Sequence, residues 1–184
     1  MKKFELTDEF INVGFKKLFR IKSLINFGDV TAGTLGGFVE KEENLSQRDN
    51  AWVSGDAWVS GNAEIYGNAK VSGDAWVSGD AKVSGDAKVY GDAWVSGDAW
   101  VYGNAEVYGD ADYTTIKGFG TQFRTTTFFR CKDKKVRVSC GCFYGTIDEF
   151  REQVQKTRDG KIAKEYLMIA DLMEYHFKET EEEE

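Results

Sequence analysis

The chain has 184 residues, 41% of them hydrophobic and 30% charged, with a formal net charge of −7, three cysteines and no proline. That length suits one domain, or one domain with an appended module, and the acidity gives no general attraction to nucleic acid. The odd cysteine count does not suit a secreted disulfide framework, and no apolar run is long enough to span a membrane. The opening "MKKFELTDEF" lacks the apolar core of a signal peptide, so a cytoplasmic location is expected.

Residues 1–43 carry no repeat. "KKLFRIKSL" mixes apolar and basic residues and reads as a strand. "AGTLGGFVE" is glycine-rich and apolar and leads into the segment that follows. The reading of 1–43 as an N-terminal cap depends on that segment.

Residues 44–112 hold the dominant signal. From Asn50 to Gly109 a six-residue phrase, D/N-A-x-V-S/Y-G, recurs ten times. Its second position is Ala and its fourth is Val, with Ile65 once. At a strand's period of two, Ala and Val point to one side and the third and fifth residues to the other. Gly followed by Asp or Asn supplies a corner. Short strands separated by corners wind into coils, and stacked coils pair as parallel strands about 4.8 Å apart. Three units per lap give a triangular parallel β-helix with an 18-residue period and a thin Ala/Val core. Such a rod has unpaired edges at both ends, which need covers.

Residues 113–178 read as a small α+β module. "TTTFFRC" and "KVRVSCGCF" form a hairpin around "KDKK". Thr146 and Glu149 make a capping box for a helix with Ile147, Phe150 and Val154 on one face. Asp159–Gly160 breaks it, and a second helix follows with Ile162, Tyr166, Ile169, Met173 and Phe177 on one side. The module either caps the far end of the rod or carries a partner surface. Residues 179–184 form an acidic tail of the solvating kind.

The 18-residue period brings Trp58, Trp76 and Trp94 into one vertical, outward-facing ladder. The other two faces read Trp52, Lys70, Lys88, Glu106 and Glu64, Lys82, Trp100. An indole buries about 150–250 Å², so a ladder of three offers an apolar patch of the size that marks interfaces. Trp58, Trp76 and Trp94, with Trp52 and Trp100, are the expected protein-binding residues. The bland alternative is that the rings only brace neighbouring rungs. The corner aspartates also align, Asp56, Asp74, Asp92 and Asp110 on one edge and Asn62, Asp80 and Asp98 on another. Turn-capping accounts for their position, and a basic protein surface is the alternative use. Cys131, Cys140, Cys142 and His176 offer a Cys₃His set for zinc, but C-x-C is not the usual spacing, and reduced buried thiols are the simpler reading. The basic and aromatic run Lys117–Arg137, with Phe119, Phe123, Phe128 and Phe129, suits either single-stranded nucleic acid or a local core.

The repeat resembles the left-handed parallel β-helices of the bacterial hexapeptide-repeat superfamily. The opening "FRIKSLINFGDVTAGTLGGFVEKEENLS", the "GNAxVYGDAxVSG" units and the ending "TTTFFRCKDKKVRVSCGCFYGTIDEF" resemble phage and prophage members, which often carry acyltransferase labels. The resemblance implies a left-handed β-helix and assembly through flat faces as a dimer or trimer. It also implies the host cytoplasm as the location if the chain is phage-encoded. Acyltransferases of this fold use a histidine base beside the helix and loops that project from it. Here the lone histidine is His176 and the repeat runs without insertion. The expectation is a non-catalytic binding or scaffold protein without cofactor or metal. It would self-associate and dock onto a host protein, for example an antiviral defence component, and inhibit it. The alternative is an acyltransferase using an acyl-CoA at a subunit interface.

Overall fold

The computed structural model describes residues 2–178, so the acidic tail read at 179–184 lies outside the described residues. Ten dipeptide strands occupy the third and fourth positions of the ten repeat units: β4 (Trp52–Val53), β5 (Trp58–Val59), β6 (Glu64–Ile65), β7 (Lys70–Val71), β8 (Trp76–Val77), β9 (Lys82–Val83), β10 (Lys88–Val89), β11 (Trp94–Val95), β12 (Trp100–Val101) and β13 (Glu106–Val107). Each pairs in parallel with the strand one lap away, as in Trp58 with Trp76 and Trp76 with Trp94, a shift of 18 residues. The result is a parallel β-solenoid of about four turns.

Backbone groups, not side chains, join the laps. The Trp58 N–H donates to the Ala75 carbonyl at 3.0 Å, and the Trp76 N–H to the Ala93 carbonyl at 2.9 Å. Every repeat Ala from Ala51 to Ala105 and every inner Val is fully buried. The small side chains set a narrow prism in which three walls satisfy one another. The corners need glycine. Gly79 has φ 70°, and a Cβ there would sit 2.9 Å from the Gly97 nitrogen one lap on. That φ is left-handed and costs any other residue.

The N-terminal cover begins with a long antiparallel pair, β1 (Phe4–Val13) and β2 (Lys16–Ser23). Next, β3 (Leu35–Val39) pairs antiparallel to β2 and parallel to β5, with Phe38 opposite Trp58. The antiparallel cover and one solenoid wall are therefore a single six-stranded sheet, in the order β1-β2-β3-β5-β8-β11. The first lap already includes β3, ahead of residue 44. Gly37 allows the join, since a Cβ there would lie 2.3 Å from the Ala57 carbonyl oxygen. Phe4, Ile21 and Leu45 complete the core at this end.

Past the repeat, β14 (Tyr113–Phe119), β15 (Arg124–Arg130), β16 (Val136–Cys140) and β17 (Phe143–Thr146) form an antiparallel sheet. Helices α1 (Ile147–Thr157) and α2 (Gly160–His176) pack on it. The alternation of β15 assigns its two faces. Phe129 enters the solenoid core together with Cys131, while Phe128 enters the core of the helical module with Val138 and Phe150. The Thr127 hydroxyl accepts from the Trp100 N–H at 3.1 Å, and the Lys132 N–H donates to the Asn104 carbonyl at 3.2 Å. The module is thus the cover of the far end. The capping box forms as expected. The Thr146 hydroxyl accepts from the Glu149 N–H at 3.2 Å, and the Glu149 carboxylate accepts from the Thr146 N–H at 2.7 Å.

Candidate functional site

The three walls of the solenoid differ in what they present. On the wall built from β5, β8 and β11, Trp58 and Trp76 stack with ring centroids 4.0 Å apart and planes 15° apart; Trp76 and Trp94 follow at 4.5 Å and 4°. The rings lie like shelves along the axis, because identical backbone positions one lap apart impose the same side-chain direction. Trp58 and Trp76 are half-buried and Trp94 is 48% exposed. The indole N–H of Trp76 is buried in the stack with no hydrogen-bond partner. At the N-terminal side the column continues into Phe38, which is buried beneath the Arg20 guanidinium, 4.2 Å from its ring centre.

Trp52 departs from expectation. It was expected on an open face, yet it is only 5% exposed. The N-terminal segment folds over it, and the Phe27 and Phe4 rings meet it edge-on at 5.4 and 6.5 Å. Its repeat position points outward, but the cap turns that outside into an inside. Trp100 remains 38% exposed, on a different wall from the ladder, and tilts against Tyr102 at 5.2 Å. The structure therefore unites Trp58, Trp76 and Trp94 and leaves Trp52 and Trp100 apart. The remaining walls carry ion pairs between laps, Lys82 to Glu64 at 3.4 Å and Lys88 to Glu106 at 3.2 Å. These are exposed pairs of the kind that contribute little to stability.

The corners also differ. Along one edge the Asn50 amide donates to Asn68, and the Asn68 amide to Asp86, each at 3.0 Å. Along a second, Lys41 reaches Asn62, Asn62 donates to Asp80, and Lys117 pairs with Asp98. On that edge the Lys117 ammonium holds the Asp98 carboxyl below the usual range. The third edge, Asp56, Asp74 and Asp92, is exposed, and its carboxylates make no hydrogen bond or ion pair among the described residues. The turn-capping expected of these aspartates is not used. Their corners are held by backbone bonds such as Asp56 N–H to the Gly73 carbonyl at 3.1 Å.

One feature was missed from the sequence. The fifth repeat position on the lap edge before this corner reads Ser54, Ser72, Tyr90, Tyr108, again 18 residues apart. Tyr90 and Tyr108 meet with ring centroids 3.6 Å apart, and burial pushes the Tyr90 hydroxyl upward in pKa. The spacing rule that found the tryptophans would have found this pair, had it been applied to the fifth position.

The thiols do not converge. Cys131 is 2% exposed in the solenoid core, where burial pushes its thiol up to about 11. Cys140 lies on the opposite face of the sheet, packed against the helical core, and Cys142 is exposed. The C-G-C run is not one strand, because Gly141 makes the β16–β17 turn with φ 62°. No group of three or more potential metal ligands occurs among the described residues. His176 ends α2 exposed, its ring edge-on to Phe177. The basic run from Lys117 to Arg137 is partly committed, with Arg130 on Asp112 and Arg137 on Asp133, and its Phe128 and Phe129 are core residues.

Residues 63–79 match a family model described as the YdcK beta solenoid repeat, in agreement with the 18-residue laps. No curated protein matches the chain.

Proposed function

We propose that the protein is a non-catalytic docking protein whose working surface is the wall of Trp58, Trp76 and Trp94. The observation that carries this reading is the ladder itself: three large rings, stacked and partly exposed, on a wall that shows no interlap ion pair among the described residues. Bracing alone is a poor reason for it. Val and Ala already fill the core, and the stack leaves a buried indole N–H unsatisfied, which costs stability. An aromatic patch on a stiff rod suits recognition of another protein surface. Both ends of the rod are covered, so its flat walls are the surfaces left for contact.

The fuller proposal is an accessory protein of a phage or prophage that engages a host protein in the cytoplasm, such as a defence component, and blocks it. Its support is the likeness of the opening, repeat and ending segments to phage hexapeptide-repeat proteins. The test is the triple variant Trp58→Ser, Trp76→Ser, Trp94→Ser, compared with the parent for solution mass and for proteins captured from host lysate. Loss of a specific captured host protein is the expected result. Unchanged mass together with unchanged capture overturns the docking reading.

A further inference from the structure

We propose that the occupant of the tryptophan wall is a basic protein segment, rich in arginine or lysine, which lays its cations along the Asp56–Asp74–Asp92 edge. This rests on the docking reading above and adds the chemistry of the partner.

The argument is one of charge complementarity beside an apolar surface. Asp56, Asp74 and Asp92 each stand two residues before a ladder tryptophan, about 6–7 Å along an extended chain. They form a column parallel to the rings, one lap apart, at about 4.8 Å spacing. Like charges at that spacing repel, and nothing among the described residues neutralises them. The other two edges answer the same problem internally, one with an amide chain and the other with lysines at both ends. Of the two edges that flank the aromatic wall, only Asp56–Asp74–Asp92 is left with its charge open among the described residues. At the lap holding Tyr90, Asp92 and Trp94 the carboxylate stands between two aromatic side chains in the sequence. That combination suits a guanidinium or ammonium, whose stem packs on rings while its head meets the carboxylate. A second copy of this chain is a poor occupant. It would bring its own acidic column and a net charge of −7 against the first.

The test uses the full chain and a short peptide alternating arginine and leucine, with the same peptide carrying glutamate for arginine as control. Fluorescence anisotropy of a dye carried on the peptide reports binding, since the serine ladder removes three of the five tryptophans. The arginine peptide is expected to bind and the glutamate peptide not to. Asp56→Asn, Asp74→Asn, Asp92→Asn together should weaken binding about tenfold, three rim pairs' worth. A charge-matched variant elsewhere, Asp8→Asn, Glu43→Gln, Glu152→Gln, should leave it within about twofold. Equal losses in the two variants mean general attraction to an acidic protein and overturn the proposal. Binding lost with the serine ladder but kept with the asparagine column overturns the basic partner and leaves the docking reading intact. Binding unaffected by the serine ladder defeats both. If the asparagine column makes the protein dimerise on the ladder, the occupant is a second copy and the proposal falls.

Discussion

In the solenoid, every inner position from Ala51 to Val107 is Ala, Val or Ile65, and neighbouring laps repeat the same contacts. In the C-terminal module the core is Phe128, Phe150, Tyr166, Ile169, Met173 and Phe177, each with a different environment. The first region gains its stability from backbone bonds between laps and from many small equivalent contacts. The second depends on a few large side chains brought together from distant parts of the chain. The comparison teaches where each is vulnerable. A repeat tolerates a lost contact because its neighbours supply the same one, whereas a non-repeating cover has no spare parts.

The junction at β15 should show the largest effect. Phe129→Ala removes a fully buried ring from the end of the solenoid core and is expected to cost about 3–5 kcal/mol. Phe128→Ala removes its neighbour from the module core at similar cost. The two should differ in where they act. Hydrogen exchange should loosen the last laps near Ala105 in the first variant and α1 and α2 in the second. Identical exchange maps would mean that the two regions are one cooperative unit.

Corner substitutions come next. Gly79→Ala forces a side chain into a left-handed conformation 2.9 Å from the next lap's backbone, so a loss of about 1–3 kcal/mol is expected in chemical denaturation. A loss below a few tenths would show that the corners are more pliable than the geometry implies. In the module, Thr146→Ala deletes the α1 capping box and should cost about 1 kcal/mol, confined to that region.

The smallest effect is a slope with pH at the opposite cover. Lys3 is 2% exposed, and its ammonium donates to the Ala51 carbonyl at 2.8 Å. Burial lowers its pKa from 10.5 to about 8, against an opposing pull from Asp49. Between those two values the unfolded chain binds more protons than the folded one, so stability attributable to Lys3 rises with pH across that window and is lost as pH falls through 8. Thermal melts of the parent relative to Lys3→Met should therefore improve from pH 7.5 towards 10. A flat difference would show that Lys3 keeps its proton when folded.

Much of this was legible in the residues. Strict spacing of Ala, Val and Gly settles the corners and requires a whole number of six-residue units per lap, and the strand pairing fixes that number at three. The same spacing aligns Trp58, Trp76 and Trp94, and the Thr146–Glu149 box marks the start of α1. The misses share one cause. Trp52 obeys the same outward rule, yet Phe4 and Phe27, far from it in sequence, cover it. The strands β1, β14 and β17 carry no periodic signal strong enough to stand out, since their pairing partners define them. The C-G-C run reads as a strand until Gly141 adopts a positive φ at a turn.

Periodicity alone therefore dictated the solenoid, its corners and its inward Ala and Val, because each unit repeats the same environment, while the register of three units per lap aligns the like residues. Exposure and unmet charge were settled only by the folded chain. The N-terminal segment covers one wall's tryptophan, β15 closes the far end with Phe129, and lysines from both covers reach the second edge. Among the described residues the Asp56–Asp74–Asp92 edge has no partner beside the rings. Which outward side chain stays outward depends on contacts between segments far apart in sequence, and no repeat encodes those.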